Sequence, residues 1–421
     1  MLSKMNKRIL IIAHDFFPYS FGTGSYMRVA TLADFLAKNN EVYIISAKGK
    51  LQHQNQVIRI SNKIKLHYAL DPLLLRFGHF NNKNDYKGLK YSKELKNRLL
   101  INLVPDLSFI WAIIIKNSVF KIIKSCNIDT VIISGPPFSP FILAKYIKNR
   151  FNNINLLIEY RDGWHTSGIF NKNKILFCNS LYLEKTAVSY ADKIICVAPS
   201  NIEKLSKMFP FINKNKIFLC RNGFLLDKEL LIRTRKNNYK NEKFILGYFG
   251  TISDAKNSIR NPRYFFEALM QLPESVRSKI EIHFFGQCLL GKYEGLNIFL
   301  HPPLSYEEAF IIMRRCDALL TIHSLEDGAE DALAAKVYDY IASGKPVLAV
   351  GPYNFKDTFD LINELRCGET AIINDIESIH RAIMAIYDAW EHKLSNKYEV
   401  SIERALEFHR HEQYKIYLNI I

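Results

Sequence analysis

The sequence lacks the patterns that mark secreted, membrane-spanning and zinc-binding proteins. Its first apolar run, 9–13, is followed at once by His14 and Asp15, which is not the form of a secretion signal. The longest apolar run elsewhere, 109–115, is far shorter than the roughly 20 residues that span a bilayer. The seven cysteines form no Cys-x-x-Cys pair and accompany no histidine cluster. These absences predict a cytoplasmic protein with reduced thiols and no structural zinc.

Three motifs of nucleotide-binding proteins are also missing. The chain has neither the Gly-x-Gly-x-x-Gly fingerprint of dinucleotide-binding folds nor a P-loop. It contains no Asp-x-Asp, which weakens any interpretation in which a metal held between carboxylates binds a nucleotide diphosphate. We therefore expect no metal and no bound cofactor.

Acidic residues are scarce in the first half of the chain, and the net charge of +16 arises there. Residues 1–200 hold 28 basic and 12 acidic side chains, whereas 201–421 hold 29 of each. One explanation is compositional drift, in which the excess of lysine in residues 1–200 has no function. Alternatively, the first domain faces an anionic partner, either a membrane surface, a phosphorylated lipid or a nucleic acid.

Short apolar runs alternate with helical patterns along the chain and restart once, at residue 243. Alternation of this kind predicts parallel sheets covered on both faces, and the restart predicts two doubly wound α/β domains. We expect an N-terminal domain over 1–224, a linker over 225–242, a C-terminal domain over 243–400 and a final helix over 401–421. The predicted strands are 8–13, 41–47, 129–134, 154–160, 193–198 and 215–223 in the first domain, and 243–250, 280–286, 297–303, 318–323 and 346–350 in the second.

Ligands of open parallel sheets bind beyond the carboxyl ends of the strands. Two such domains that face each other would form a cleft, and we expect the site there. The loops expected to line it follow Ala13, Ile133, Glu159, Phe249, Phe285 and His323.

Two glycine-containing loops join a predicted strand to a predicted helix. The first contains Gly22 and Gly24, whose backbone N–H groups could approach an anion, although a simple tight turn explains them equally well.

The second loop, 250–262, begins with Gly250 and offers the hydroxyls of Thr251 and Ser253. It also carries two cations, Lys256 and Arg260. Backbone donors, hydroxyls and a guanidinium together suit a diphosphate, while the alternative is a solvated cationic loop.

The stretch EYRDGWHT places charged and aromatic residues at the carboxyl end of a predicted strand. Arg161, Asp162 and His165 could contact a sugar, with Trp164 under its apolar face. The alternative is a local salt bridge between Arg161 and Asp162.

The stretch AKVYDYIASGKPVLAV predicts a helix over 335–343, ended by Gly344 and Pro346, and then a buried strand. Asp331 and Asp339 are eight residues apart, a little over two helical turns, so both carboxylates could point the same way. They could accept hydrogen bonds from the hydroxyls of a ribose or a hexose. A surface acidic helix is the alternative.

These residues resemble the glycosyltransferases of the two-domain GT-B fold, closest to family 4. The similarity covers nearly the whole chain, and it implies that the C-terminal helix over 401–421 crosses back to the N-terminal domain. It is carried by the opening strand, glycine loop and helix, by VIISGPPFSPFILAKYI, LLIEYRDGWHT, ADKIICVAPSNIEKL and KIFLCRNGF, and above all by AKVYDYIASGKPVLAV with its Gly-Lys-Pro turn.

The resemblance implies a role for each matching position in the second domain. Asp339 matches the carboxylate that holds the donor ribose, and Asp331 falls at the one that faces the transferred sugar, with Glu330 as an alternative. The family's phosphate-binding Arg is replaced by Thr251, which leaves Lys256 and Arg260 as substitutes.

The resemblance also implies roles in the first domain and a reaction. Gly22 and Gly24 match the loop over the diphosphate, and Asp162 lies where many members place an acceptor-side residue, with His165 as second choice. The implied reaction is metal-independent transfer of a hexose from a nucleotide sugar to an acceptor hydroxyl, with retention, in surface polysaccharide synthesis. The implied partners are the donor, a lipid-linked or glycan acceptor and an anionic membrane surface. A nucleotide-sugar epimerase and a basic nucleic-acid-binding protein are the alternatives.

Overall fold

The chain divides into two compact units. The computed structural model describes residues 6–19, 23–49, 62–72, 106, 108–165, 174–236, 239–326 and 335–421, without the side chains of 23–25 and 174–177. One unit comprises Met1–Cys220 with Tyr414–Ile421, and the other comprises Arg221–Gln413.

The first unit is built on a seven-stranded parallel sheet in the order β3-β2-β1-β4-β5-β6-β7. The strands are β1 (Arg8–Ala13), β2 (Glu41–Lys48), β3 (Ile64–Leu70), β4 (Thr130–Gly135), β5 (Asn155–Tyr160), β6 (Lys193–Cys196) and β7 (Ile217–Leu219). Alternate residues of β1 enter two different cores, with Leu10 and Ile12 on one face and Ile9 and Ile11 on the other. Burial on both faces explains the unbroken apolar run of this strand.

Helices cover both faces of this sheet. They are α1 (Thr23–Ala37), α2 (Phe109–Ser125), α3 (Leu143–Arg150), α4 (Lys174–Tyr190) and α5 (Pro199–Met208). The last helix of the chain also contributes, because the Tyr417 hydroxyl donates a 2.7 Å hydrogen bond to Glu159 on β5.

The second unit has a six-stranded parallel sheet in the order β12-β10-β8-β13-β14-β15 and a small two-stranded sheet, β11-β9. The strands are β8 (Phe244–Phe249), β9 (Ile252–Ser253), β10 (Ile280–Phe285), β11 (Cys288–Leu289), β12 (Asn297–His301), β13 (Ala318–Ile322), β14 (Val347–Gly351) and β15 (Gly368–Ile372). The order of the large sheet reverses beside its first strand, as in dinucleotide-binding folds.

Nine helices are described from residue 228 onward. They are α6 (Lys228–Arg235), α7 (Arg263–Met270), α8 (Glu274–Arg277), α9 (Tyr306–Arg315), α10 (Lys336–Ser343), α11 (Lys356–Leu365), α12 (Ile376–Glu391), α13 (Ile402–Leu406) and α14 (Arg410–Ile420). As predicted, Gly344 ends α10 in the left-handed conformation, with φ of 71°.

The two α/β sheets confirm the predicted fold class, and every predicted strand is present. The segment 225–242, which we expected to be a linker, contains α6 and buries Leu226 and Leu231 in the core of the second unit. The segment 401–421 forms two helices, α13 and α14, and the unit boundary falls inside α14.

Candidate active site

The reversal of strand order places a candidate site in the second unit, at the carboxyl ends of β8 and β13. The loops that follow these strands are tied together. The backbone N–H of Ser324 donates to the Ile259 carbonyl at 2.9 Å, and its hydroxyl donates to the Ser258 carbonyl at 2.8 Å. Residues 250–262 are therefore held over the reversal point.

Gly250 opens this loop and leaves space beside its backbone. Its φ of 125° is one that L side chains rarely adopt, and a Cβ built there would have no described atom within 4 Å. The Tyr248 hydroxyl donates to the Thr251 carbonyl at 2.9 Å, which holds the start of the loop. A ligand can therefore approach the backbone closely at Gly250.

The predicted phosphate-binding residues of the loop differ in their surroundings. Thr251 and Lys256 are exposed, and Ser253 is half-buried, with its hydroxyl accepting from the Ala255 N–H at 3.2 Å. Arg260 is half-buried and close enough to Tyr248 to act on it electrostatically. Its Nε is buried without a hydrogen-bond partner within the described part of the chain. Arg260 is thus a loop cation whose Nε has no acceptor among the residues that the structure describes.

Lys336, the first residue of α10, was missed by the sequence analysis. Its Nζ donates to the carbonyl of Phe249 at 3.2 Å and lies 3.5 Å from the centre of the Tyr248 ring. Burial and the nearby Arg260 guanidinium lower the pKa of Lys336 well below its usual range. One signal was available, because a cation in the first turn of a helix opposes the helix dipole.

Asp339 lies one helical turn after Lys336 and is half-buried. One oxygen accepts a 2.5 Å hydrogen bond from the hydroxyl of Tyr306, which itself accepts from the Leu225 N–H at 2.9 Å. Burial raises the pKa of Asp339 to about 6, although Tyr306 and the nearby Arg410 favour the charged form. Within the described residues its second oxygen has no hydrogen-bond partner, so the carboxylate can accept further hydroxyl donors.

The other predicted donor-binding positions stay predictions. Asp331 and its alternative Glu330 lie outside the described residues, and so does Gly22. Gly24 lies in the first turn of α1.

In the first unit, an unpredicted charged network follows β1, where the order of that sheet reverses. The His14 ring is buried between Asp15, at 2.9 Å from Nδ1, and Asp71, at 2.7 Å from Nε2. Burial alone would lower the pKa of His14, but the hydrogen bonds to both carboxylates raise it to about 9. These three buried side chains therefore form a charged, hydrogen-bonded network inside the first unit.

Arg161 and Asp162 follow β5 but differ in exposure. The Arg161 side chain is buried, and its guanidinium donates to the Pro136 carbonyl in the loop after β4. Asp162 is exposed. Its position at a strand carboxyl end leaves it available to a ligand of this unit.

The two rings after Asp162 are packed inside the unit. Trp164 is 1% exposed and stacks on Phe138 with ring centres 5.0 Å apart. The expectation that Trp164 lies under a sugar is therefore wrong, since the apolar core already covers it. The buried His165 ring has Nδ1 bonded to Glu184 and Nε2 2.5 Å from the Ser180 hydroxyl. Its acceptor-side role stays a prediction.

The described residues contain neither a metal-binding cluster nor a helix that could span a membrane. They contain no group of three or more His, Cys, Asp or Glu side chains suited to hold a metal ion. No helix among them combines the length and apolarity needed to cross a bilayer.

Comparison with known proteins identifies similar folds. No protein-family model and no curated protein sequence matches the chain. A trehalose-6-phosphate protein from E. coli, solved with UDP-2-fluoro glucose, shares 10% identity and a TM-score of 0.65 over 98% of each chain. A UDP-forming α,α-trehalose-phosphate synthase from Burkholderia xenovorans, in complex with glucose-6-phosphate, gives 10% identity and a TM-score of 0.63 over 98% of this chain and 99% of that one.

A third similar structure is WaaG, a glycosyltransferase involved in lipopolysaccharide biosynthesis. It shares 14% identity with this chain, with a TM-score of 0.56 over 98% of this chain and 99% of WaaG. At these identities the likeness concerns the fold. The chain therefore has the GT-B fold of these glycosyltransferases, with two Rossmann-like parallel sheets.

Proposed function

We propose that this protein is a glycosyltransferase that uses a nucleotide diphosphate sugar. The observation that carries the proposal is the arrangement around the first turn of α10. There Asp339, a carboxylate with a free acceptor oxygen, lies one helical turn from Lys336, and Arg260 is close to Lys336. Neither cation has an acidic partner among the described residues. Residues three apart on a helix are about 5–6 Å apart, which suits the ribose hydroxyls and diphosphate of one nucleotide.

The proposed roles follow from the chemistry of each group. Asp339 accepts hydrogen bonds from the ribose hydroxyls. Arg260, Lys256 and the loop at Gly250 hold the diphosphate. When the bond between the anomeric carbon and the diphosphate breaks, the leaving phosphate oxygen keeps the electron pair. The acceptor hydroxyl oxygen bonds to the anomeric carbon, and its proton passes to the leaving phosphate. The cations stabilise the charge that develops on the leaving group without a metal.

The nature of the sugar and acceptor is inferred from the resemblance to family 4. We propose a hexose, transfer with retention, and a role in cell-surface polysaccharide synthesis. The similar proteins were solved with UDP-2-fluoro glucose and with glucose-6-phosphate, and WaaG acts in lipopolysaccharide biosynthesis. We place the acceptor in the first unit, near Asp162, with Arg161 and His165 beneath it.

We further propose that the acceptor is lipid-linked and that the first unit contacts the inner face of the membrane. A groove of about 750 Å³ on α2 and α3 is lined by four cations, an asparagine and two phenylalanines, with no acidic residue among the described residues that line it. Ile113 and Ile114 of α2 are about half exposed. Each basic residue near an anionic surface contributes about 1 kcal/mol. The groove is lined by Lys116, Asn117, Phe120, Lys121, Lys124, Arg150 and Phe151.

A liposome flotation assay tests the membrane proposal. We expect the protein to float with vesicles that contain anionic lipid, and the double variant Lys121→Gln, Lys124→Gln to float less. The matched control is Lys185→Gln, Lys214→Gln, which changes two exposed lysines of the same unit outside the groove. Binding that ignores anionic lipid would remove this part of the proposal.

A thermal-shift panel of UDP, GDP, ADP and dTDP sugars tests the donor site. A ligand at 100 times its Kd adds about 2.7 kcal/mol of stability. We expect Asp339→Ala to abolish the shift and Arg260→Ala to weaken it, while the control Arg263→Ala, an exposed arginine three residues away, keeps it. Equal shifts in all variants would contradict the site.

Analysis of the reaction products and of binding distinguishes glycosyl transfer from the two alternatives, an epimerase and a nucleic-acid-binding protein. A glycosyltransferase requires an acceptor, and retention is measured from the anomeric configuration of the product. Conversion of free donor into a second nucleotide sugar would indicate an epimerase instead. A gel shift with a steep salt dependence would indicate nucleic-acid binding.

A further inference from the structure

Lys336 is a half-buried cation in an unfavourable position. A lysine ammonium is normally solvated or paired with a carboxylate, because its removal from water is costly. Here its polar contact is the Phe249 carbonyl, and its other neighbour is the Tyr248 ring. No carboxylate among the described residues forms an ion pair with Lys336. Folding alone does not explain why a lysine occupies this place.

The groups around Lys336 make the ammonium less favourable still. Arg260, from the loop after β9, adds a like charge, and the first turn of α10 places Lys336 at the positive end of the helix dipole. On the same helix Asp339 is one turn away, held by Tyr306 of α9 and in the field of Arg410. Two cations without an acidic partner among the described residues thus converge on the end of β8.

The place on which they converge is open. Gly250 directly follows Phe249, and a Cβ there would meet no described atom within 4 Å. The Arg260 Nε is buried with no hydrogen-bond acceptor from the described residues. An anion in this space would supply the missing partner to both cations at once.

We propose that Lys336 is a binding residue for the donor's diphosphate, acting together with Arg260 beside Gly250. This inference rests on the proposed function for the nucleotide but requires only an anion for the cation pair. The low pKa of Lys336 adds a consequence. A bound diphosphate stabilises the ammonium and so raises the pKa of Lys336, which means that any fraction of Lys336 that is neutral in the free protein takes up a proton when the anion binds.

Calorimetry at about pH 8, where the phosphates of a nucleoside diphosphate are ionised, tests this consequence. The probe is whichever of UDP, GDP, ADP or dTDP gives the largest thermal shift. Titrations in two buffers with different enthalpies of ionisation measure the protons taken up. The lowered pKa of Lys336 sets the direction of the effect, so we expect less proton uptake by Lys336→Met than by the native protein.

We expect Lys336→Met to weaken nucleotide binding about 10- to 100-fold, as for the loss of a charge-assisted hydrogen bond. Its melting temperature should not fall, because the variant removes a charge that the folded state disfavours. Lys336→Arg should keep part of the affinity and show no uptake, since arginine is always charged. The control Lys356→Met changes an exposed lysine at the first position of α11 and should alter neither quantity.

The outcomes distinguish the two proposals. Unchanged nucleotide affinity in Lys336→Met would overturn the role of Lys336. If Lys336→Met fails to fold, Lys336→Arg is compared with the native protein instead. Proton uptake that persists in Lys336→Arg would show that the titrating group is another residue. Binding of inorganic pyrophosphate that depends on Lys336, without binding of any nucleotide, would keep the anion site and refute the donor. If neither pyrophosphate nor any nucleotide binds, both the anion site and the nucleotide-sugar donor are refuted.

Discussion

Replacing Asp339 by Asn should stabilise the protein while removing its capacity to bind a donor. The ionised carboxylate is unfavourable in the folded state, because burial raises its pKa from 3.8 to about 6. Asn has nearly the same shape and can still accept the hydrogen bond from Tyr306. It removes the charge but also the strongest acceptor for ribose hydroxyls. Opposite effects on stability and binding are expected where function opposes stability.

The magnitude follows from the pKa shift. A difference of about two pKa units corresponds to about 2–3 kcal/mol between the protonation states. Because the folded-state pKa is the higher one, the protonated carboxyl contributes stability below about pH 4 that is lost as the pH rises through about 6. Asp339→Asn should therefore match the native protein near pH 4 and exceed it by about 2–3 kcal/mol above pH 6.

Thermal unfolding across this pH range, with and without nucleotide, measures both effects. For a unit of this size 1 kcal/mol corresponds to about 2–4 °C, so the variant should melt about 4–12 °C higher at neutral pH. The native protein should gain further stability from the nucleotide, and the variant should not. Asp360→Asn, at an exposed position on α11, is the control for a simple change of charge. A variant that melts at or below the native temperature above pH 6, or that keeps the nucleotide shift, would refute the reasoning.

Three further substitutions test the packing around Trp164, the charged network around His14 and the loop that begins at Gly250. Trp164→Ala should cost about 3–5 kcal/mol in urea unfolding because it empties a filled core position, and a cost below about 1 kcal/mol would contradict the buried placement. The raised pKa of His14 means that its pairs with Asp15 and Asp71 stabilise the fold fully below about pH 6.5, a contribution lost as the pH rises through about 9. His14→Gln should abolish this pH dependence in urea unfolding, and a persistent slope would assign it to another group. Gly250→Ala should cost about 1–3 kcal/mol from its positive φ and weaken nucleotide binding measured by calorimetry, whereas unaltered binding would move the anion away from this loop.

Local patterns in the chain were sufficient for most of the strands and for the end of α10. A strand buried on both faces must be apolar throughout, so a run such as 8–13 is recognisable without knowledge of its neighbours. Strands β3 and β15 were not predicted. Their residues are mostly half-buried or exposed, so the apolar pattern that marks a central strand is weaker there.

Contacts between distant residues could not be predicted in the same way. The Tyr306 hydroxyl donates a hydrogen bond to Asp339, which is 33 residues away in the sequence. The residues next to either side chain do not indicate this pairing. The same limit applies to Trp164, because an aromatic residue after a strand can serve a ligand or fill a core.

The amino-acid sequence by itself determined the two parallel α/β sheets, since hydrophobic periodicity and turn residues act over a few neighbours. It also singled out Asp339 and the loop from Gly250 to Arg260, through the resemblance to a known family. Only the tertiary structure decided that Lys336 and Arg260 lie together beside Gly250, and that Trp164 is covered while Asp162 is exposed. Burial and the pairing of charges depend on which elements pack together, and those contacts exist only after the chain has folded.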